Sequence, residues 1–412
     1  MLVQSISYGR DARKQKRHGC AERGTAFWLV AALMIGAMHA DWALAAQPKA
    51  LGFVLTGRHV AMPPTPEKEQ CPDGYQFNGI VDNWNAQFPT EALSKAQQAR
   101  CGSRENRGPN CENMFYNPTA VKDLLPFREA QSKTAYGMNL DGTPDGRATD
   151  RTCAHQKFAN VDGGEAVDNQ FYRAHACEQA WRAGGVYEEF GNRVELIDRE
   201  ASRVLLEVTD VDNERNDTQV TVTIYKGKDL LQKNNTGQVQ AWQSQRIDER
   251  VPQYVQRTRG KIVDGVLITE PMEVRLPVHL MGLTGELQLS DMRMRLALKP
   301  DGADGLMAGY HDIDEWWKFY SKISTVTLAG MAPSPPSKYE ALHRLADGEK
   351  DPISGRCGAV STAYKLDWTR AFIVHPPAGQ VAAATARNER ASEIRTVTGK
   401  RTTESPRNPE HE

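Results

Sequence analysis

The stretch "MEVRLPVHLMGLTGELQLSDMRMRLAL", residues 272–298, decides how the chain reads. Met272, Val274, Leu276, Val278 and Leu280 alternate with Glu273, Arg275, Pro277 and His279. Period-two alternation marks a strand with one buried face. The pattern resumes at Leu287 and Leu289, then changes side. Met292, Met294, Leu296 and Leu298 are apolar, whereas Asp291, Arg293 and Arg295 are charged. One extra residue moves every following side chain to the other face, so the switch near Ser290 predicts a β-bulge.

Working outward, "RVLLEV" (203–208) is a compact apolar strand, and "QVTVTIY" (219–225) places Val220, Val222 and Ile224 on one face. Asp264-Gly265, between "KIV" and "VLI", is a tight hairpin signal. "VSTAYKLDW" (360–368) reads as a late strand returning to the same sheet. Several strands joined by turns predict an antiparallel sandwich or barrel. The expected fold is mainly β with α+β elements: an antiparallel β-sandwich-like domain over 186–378 with two short helices. Asp312 is placed to cap "IDEWWKFYSKI", and Ser337 and Glu340 form a capping box opening "YEALHRLA".

Residues 47–185 have a different texture, rich in Gly, Asn, Asp and Pro. They read as a loop-rich, disulfide-stapled module with short helices. "LGFVLTG" (51–57) is expected as an edge strand. Thr90 caps "EALSKAQQAR", and Asp168 or Asn169 caps "QFYRAHACEQAWRA" (170–183). Residues 379–412 have almost no large apolar side chains, which predicts a disordered tail.

Residues 1–46 read as a secretory signal peptide. A basic segment (Arg10 to Arg23) precedes the apolar run Ala26–Met38, and Ala43-Leu44-Ala45 supplies an A-x-A site. The apolar run is short for a membrane span of ~20 residues. A periplasmic or secreted location is expected, an uncleaved N-terminal membrane anchor being the alternative. No membrane span is expected after cleavage. The 51 Lys and Arg against 52 Asp and Glu leave no basic footprint for nucleic acid.

Cys20 precedes the apolar run. Cys71, Cys101, Cys111, Cys153, Cys177 and Cys357 remain, an even number that favours disulfides in an oxidising compartment. Cys153-Ala-His155 is mirrored by His175-Ala-Cys177, which raises a zinc site. On a helix, however, His175 and Cys177 point about 200° apart. A Cys153–Cys177 disulfide is the leading expectation, with other disulfide arrangements and a metal as alternatives. The two histidines are then ordinary polar or packing residues.

Three further features bear on chemistry. Asp141, Thr143, Asp145 and Asp150 in "DGTPDGRATD" resemble the start of a calcium loop, but Thr152 stands where an EF-hand has its bidentate Glu. Plain turns are the leading reading and a structural calcium the alternative; no cofactor is certain. "HDIDEWWKF" sets Asp314 and Glu315 beside Trp316 and Trp317, a candidate sugar platform with carboxylates. Packing of the aromatic residues on the sheet is the simpler account. There is no G-x-S-x-G, H-E-x-x-H, P-loop or G-x-G-x-x-G, so no residue is selected as a nucleophile or base.

The phrases "CPDGYQFN", "NRGPNCEN", "LPFREAQSKTAYGMNLDGTPDGRATDRTCAH", "VDNQFYRAHAC" and "RCGAVSTAYKLDW" together resemble a group of uncharacterised exported proteobacterial proteins. The resemblance implies an envelope location and a shared architecture, and no reaction. It further implies that Cys101 and Cys111, which lie outside the group's usual pattern, form a local pair. Cys71 is then left for Cys357. The functional expectation is an exported protein binding a small molecule, a glycan or an envelope partner. A carboxylate- or metal-dependent hydrolase is the alternative.

Overall fold

The computed structural model describes residues 49–102, 107–122, 124–280, 283–327 and 333–377, with the side chains of 323–327 excepted. The expected signal peptide and disordered tail lie outside the described residues.

Eight antiparallel strands close into a barrel. They are β1 (Lys49–Val60), β2 (Val204–Val211), β3 (Asp217–Lys226), β4 (Gln256–Val263), β5 (Val266–Thr269), β6 (Leu283–Lys299), β7 (Gly302–Asp312) and β8 (Cys357–Val374). Each pairs with the next, and β1 pairs with both β2 and β8. The sandwich expectation is therefore corrected to a barrel. Both architectures bury alternate residues, so periodicity alone does not separate them. Closure depends on β1, which is the closing strand and not an edge.

Leu51, Phe53, Leu55, Val222, Met294, Leu296 and Trp368 belong to one buried cluster. An eight-stranded barrel is just wide enough for side chains to fill its interior. The outer face is buried as well at Val54, Leu205, Tyr225 and Ala371. Strands covered on both faces read as continuous apolar runs, which explains "RVLLEV". At the Asp264-Gly265 turn both residues have positive φ, 51° and 79°, as a type I′ hairpin requires.

The predicted bulge is present. Pairing of β6 slips between Ser290 and Arg293 on one side and between Leu289 and Met292 on the other. Leu287 and Leu289 are buried before it, and Met292, Met294 and Leu296 after it. The strand Met272–Leu280 extends the sheet by pairing with the first half of β6.

Helices pack outside and at the barrel's end. Among them are α1 (Ile80–Gln87), α2 (Glu91–Cys101), α3 (Gln170–His175), α4 (Ile313–Thr327) and α5 (Pro335–Arg344). Thr90 caps α2, and the Asp312 carboxylate accepts from the Glu315 N–H at 2.7 Å. Two expectations are corrected. Helix α5 begins at Pro335, so Ser337 lies inside it, buried, and donates to Leu125 O. Helix α3 is capped by Asn169 and ends at His175, well short of residue 183. Leaving the helix there lets Cys177 reach Cys71 and turns the buried Glu178 toward Lys338.

Three disulfides form: Cys71–Cys177, Cys101–Cys111 and Cys153–Cys357. Cys101–Cys111 agrees with the local pair implied by the resemblance. The expected Cys153–Cys177 and Cys71–Cys357 bridges are corrected. The Cys71 segment lies beside the end of α3, where the Gln76 N–H donates to Cys177 O at 2.6 Å. The Cys153 N–H instead donates to Asp347 O at 2.9 Å, which carries Cys153 to the start of β8. Among the described residues no helix is long and apolar enough to cross a membrane.

Candidate functional site

The bulge in β6 shapes the surface above it. Asp291 adopts a positive φ of 48°, and Ser290, Asp291 and Arg293 all reach outward while Met292 turns into the barrel. Tyr310 of β7 lies in register with Ser290. Glu349, on the short strand Gly348–Lys350 that pairs with β8, also has positive φ, 52°. Together with Glu273 these residues line a cleft of two lobes, of about 440 and about 330 Å³. The lobes share Glu273, Ser290, Tyr310 and Glu349.

The cleft is rich in charge. Arg151 pairs with Asp291, Ser290 Oγ donates to Glu349 Oε1, and the Asp291 N–H donates to Glu273 Oε1 at 3.4 Å. Arg293 donates to the carbonyls of Asn139 and Leu140 at 3.1 and 3.3 Å, which fixes the loop that forms the far wall. Burial raises the Glu349 carboxyl above its usual range, and the carboxylates of Asp312, Glu273 and Asp291 add to this. Tyr310 is only 3% exposed, and its hydroxyl has no hydrogen-bond partner. Burial and then the charges of Asp347, Asp168, Asp141 and Asp291 push its phenol well up, so it stays a neutral O–H.

Beneath the cleft lies a buried cluster of Asp141, His155, Lys157, Asp168 and Asp347, with side chains at most 5% exposed. His155 Nε2 lies 2.7 Å from Asp168 Oδ1 and 3.8 Å from both Asp141 Oδ2 and Asp347 Oδ2. Lys157 Nζ lies 2.6 Å from Asp141 Oδ1 and 3.2 Å from Asp168 Oδ1. Burial opposes the charge on His155, but the hydrogen bond to Asp168 and the charge of Asp347 outweigh it, raising its pKa to about 9. Burial raises Asp347 to about 7. Burial also works against ionised Asp141, yet hydrogen bonds from Lys157 and Thr143 hold its carboxyl below the usual range.

The residues singled out in the sequence are dispersed. Thr143 is buried and donates to Asp141 Oδ2 at 2.8 Å, while the Lys157 ammonium meets the other oxygen. Asp145 is exposed, with Oδ1 accepting from the Arg147 N–H, and Asp150 lies on the rim of the larger lobe. Among the described residues the carboxylates and histidine close enough to share a cation are Asp141, His155 and Asp168. Asp145 and Asp150 do not join them.

Trp316 lines a separate cavity at the barrel's end, of about 90 Å³. That is well below the ~300 Å³ at which ligand pockets begin. Trp317 is buried and its indole N–H donates to Phe115 O at 2.7 Å. Asp314 pairs with Tyr339, and Glu315 with Lys318, both exposed. Of Asp314, Glu315, Trp316 and Trp317, only Trp316 lines that cavity. His175 stacks on Phe171 at 3.8 Å between ring centroids, a packing residue as expected.

Sequence reasoning missed Tyr310 and Lys157, and met Asp347 and Glu349 only as acids of the turn "ADGEKDP" (346–352), a weaker match to a calcium loop than "DGTPDGRATD". Only the bulge and the loop path bring the four together. Comparisons with protein-family models, with curated proteins and with solved structures gave no match.

Proposed function

We propose that this chain is an exported binding protein of the bacterial envelope whose cleft holds a small ligand rich in hydroxyl or amino groups, such as a glycan segment. The observation that carries this reading is Tyr310: a buried phenol that lines both lobes and whose hydroxyl has no hydrogen-bond partner. An orphaned polar group of this kind costs about 1–3 kcal/mol unless a ligand or water satisfies it. The lobe volumes fall within the ~300–1,000 Å³ usual for ligand sites. Among the described residues Glu273 and Glu349 form no ion pair, which leaves carboxylate acceptors for ligand O–H or N–H donors. Three disulfides fit an oxidising compartment.

The test is saturation-transfer NMR followed by calorimetry on the purified chain, using neutral and amino sugars of envelope glycans. Binding is expected to weaken about tenfold in Tyr310→Phe, in line with one lost hydrogen bond. A panel without a binder, or a binder indifferent to both Tyr310→Phe and Glu349→Gln, overturns the reading.

A second reading, glycoside hydrolysis, draws on the raised carboxyl of Glu349 between Glu273 and Asp291. A raised carboxyl beside ionised partners is the arrangement of a general acid. Release of reducing ends by the wild type, lost in Glu349→Gln while ligand binding persists, would select it.

A further inference from the structure

The cluster beneath the cleft carries an inference independent of what the cleft binds. His155 Nδ1 lies 2.9 Å from Cys153 O. A backbone carbonyl only accepts, so Nδ1 holds the proton, and the lone pair of a neutral imidazole is at Nε2. That lone pair faces Asp168 Oδ1, Asp141 Oδ2 and Asp347 Oδ2 at 2.7, 3.8 and 3.8 Å. Asp347 is fully buried, and its Oδ2 has no hydrogen-bond partner although its Oδ1 accepts from the Ser361 N–H at 2.7 Å. A buried carboxylate oxygen aimed at an imidazole lone pair is unfavourable unless something positive lies between them.

We propose that Asp141 Oδ2, His155 Nε2 and Asp168 Oδ1, which lie within 4.8 Å of one another, hold one divalent transition-metal ion of the zinc or manganese type, with Asp347 Oδ2, 3.8 Å from Nε2, closing on it as the fourth ligand. One imidazole with carboxylates suits these ions, whereas calcium and magnesium take oxygen ligands. Ligand atoms around a tetrahedral ion at ~2.1 Å stand about 3.4 Å apart, between the 2.7 and 3.8 Å that separate His155 Nε2 from the carboxylate oxygens.

The surroundings support the assignment. Metal sites orient each ligand through its second polar atom, and all four are held in this way. Lys157 holds Asp141 Oδ1 at 2.6 Å, and the Leu140 N–H holds Asp168 Oδ2 at 2.8 Å. The Ser361 N–H holds Asp347 Oδ1, and Cys153 O holds His155 Nδ1. Charge also balances: a dication and the Lys157 ammonium neutralise three carboxylates in a site nearly closed to water. Four protein ligands leave no open position, which makes the site structural. It clips the loop bearing Asp141, one wall of the cleft, to the segment bearing Asp347. When the ion enters, any proton on Nε2 leaves to solvent.

The experiment is elemental analysis and calorimetry with Zn²⁺ and Mn²⁺ on the chelator-treated, refilled full chain. One equivalent per chain is expected, falling to near zero in Asp347→Asn and His155→Gln and unchanged in Asp145→Ala with Asp150→Ala. Where a ligand variant fails to fold, the wild type decides: chelation lowers its melting temperature and Zn²⁺ or Mn²⁺ restores it. Failure of either ion to bind, or to move the wild-type melting temperature, overturns the proposal and leaves a cluster neutralised by Lys157 and protons. Binding of Ca²⁺ alone, or binding that depends on Asp145 and not on Asp347, overturns it too.

Discussion

Gly348 lies flat against the ring of Tyr310: a Cβ added to Gly348 would stand 2.3 Å from Tyr310 Cδ1. The ring is held between this backbone and the buried Leu140, Ala308 and Ala359. Gly348→Ala must therefore push the ring or the short strand aside. Overpacking of this kind costs about 1–3 kcal/mol. We expect that loss in urea unfolding, together with weaker ligand binding than in a surface Gly→Ala control such as Gly358→Ala, where a Cβ meets open space. Equal binding by the two variants would separate Tyr310 from the ligand.

The Cys153–Cys357 bridge closes a span of 204 residues and joins the loop carrying His155 to the first residue of β8. Removing a native disulfide costs roughly 2–5 kcal/mol. The Cys153→Ser, Cys357→Ser double variant is expected to lose stability in that range. Peptide mapping without reduction should link the Cys153 and Cys357 peptides. A Cys153–Cys177 linkage would contradict the structure directly.

Part of this fold was legible in the residues. The side switch at Ser290 located the bulge, and Asp264-Gly265 located a hairpin, because both are local consequences of period two and of turn stereochemistry. Barrel closure was not legible. It rests on β1 pairing with β8 at the other end of the chain, Val54 opposite Thr369, and alternation is the same for a barrel and a sandwich. The cluster was visible only in pieces. Asp141 read as part of a calcium loop, His155 as half of a mirrored pair and Asp168 as a helix cap. Their convergence depends on the loop path and on Asp347, which stood in the sequence only as one acid of the turn "ADGEKDP" (346–352). The cysteine pairing failed for a related reason: the helix expected to continue past Cys177 stops, and its end faces Cys71.

His59 offers a pH test away from the cleft. Its Nε2 lies 3.4 Å from Asp367 Oδ2, and its Nδ1 meets Glu188. The hydrogen bonds to Asp367 and Glu188 raise it from 6.5 to about 9, against the effect of burial. A raised folded-state value means that the native state holds the proton more tightly than the unfolded chain. The resulting stabilisation is complete below pH 6.5 and is lost as pH rises through about 9. The pair is partly solvent-exposed, so the effect is screened. NMR titration should find His59 still protonated at pH 8, and Asp367→Asn should lower its midpoint. A midpoint near 6.5 in the wild type would rule out the pairing.

Lys338 and Glu178 form an ion pair that is almost entirely removed from water, with side chains 0% and 4% exposed. The ammonium also lies 4.5 Å from the ring centre of Tyr320. Burial lowers Lys338 to about 8 and raises Glu178, so each partner is strained by desolvation despite the other's charge. Such a pair contributes little net stability, yet losing one partner leaves an uncompensated buried charge, at a cost of about 3–5 kcal/mol. Lys338→Met alone is expected to destabilise by that amount in urea unfolding. Adding Glu178→Leu is expected to recover most of the loss, because it removes the stranded carboxylate. If the double variant is as unstable as the single one, the pair is holding α5 against the end of α3 by its specific geometry and not merely cancelling charge.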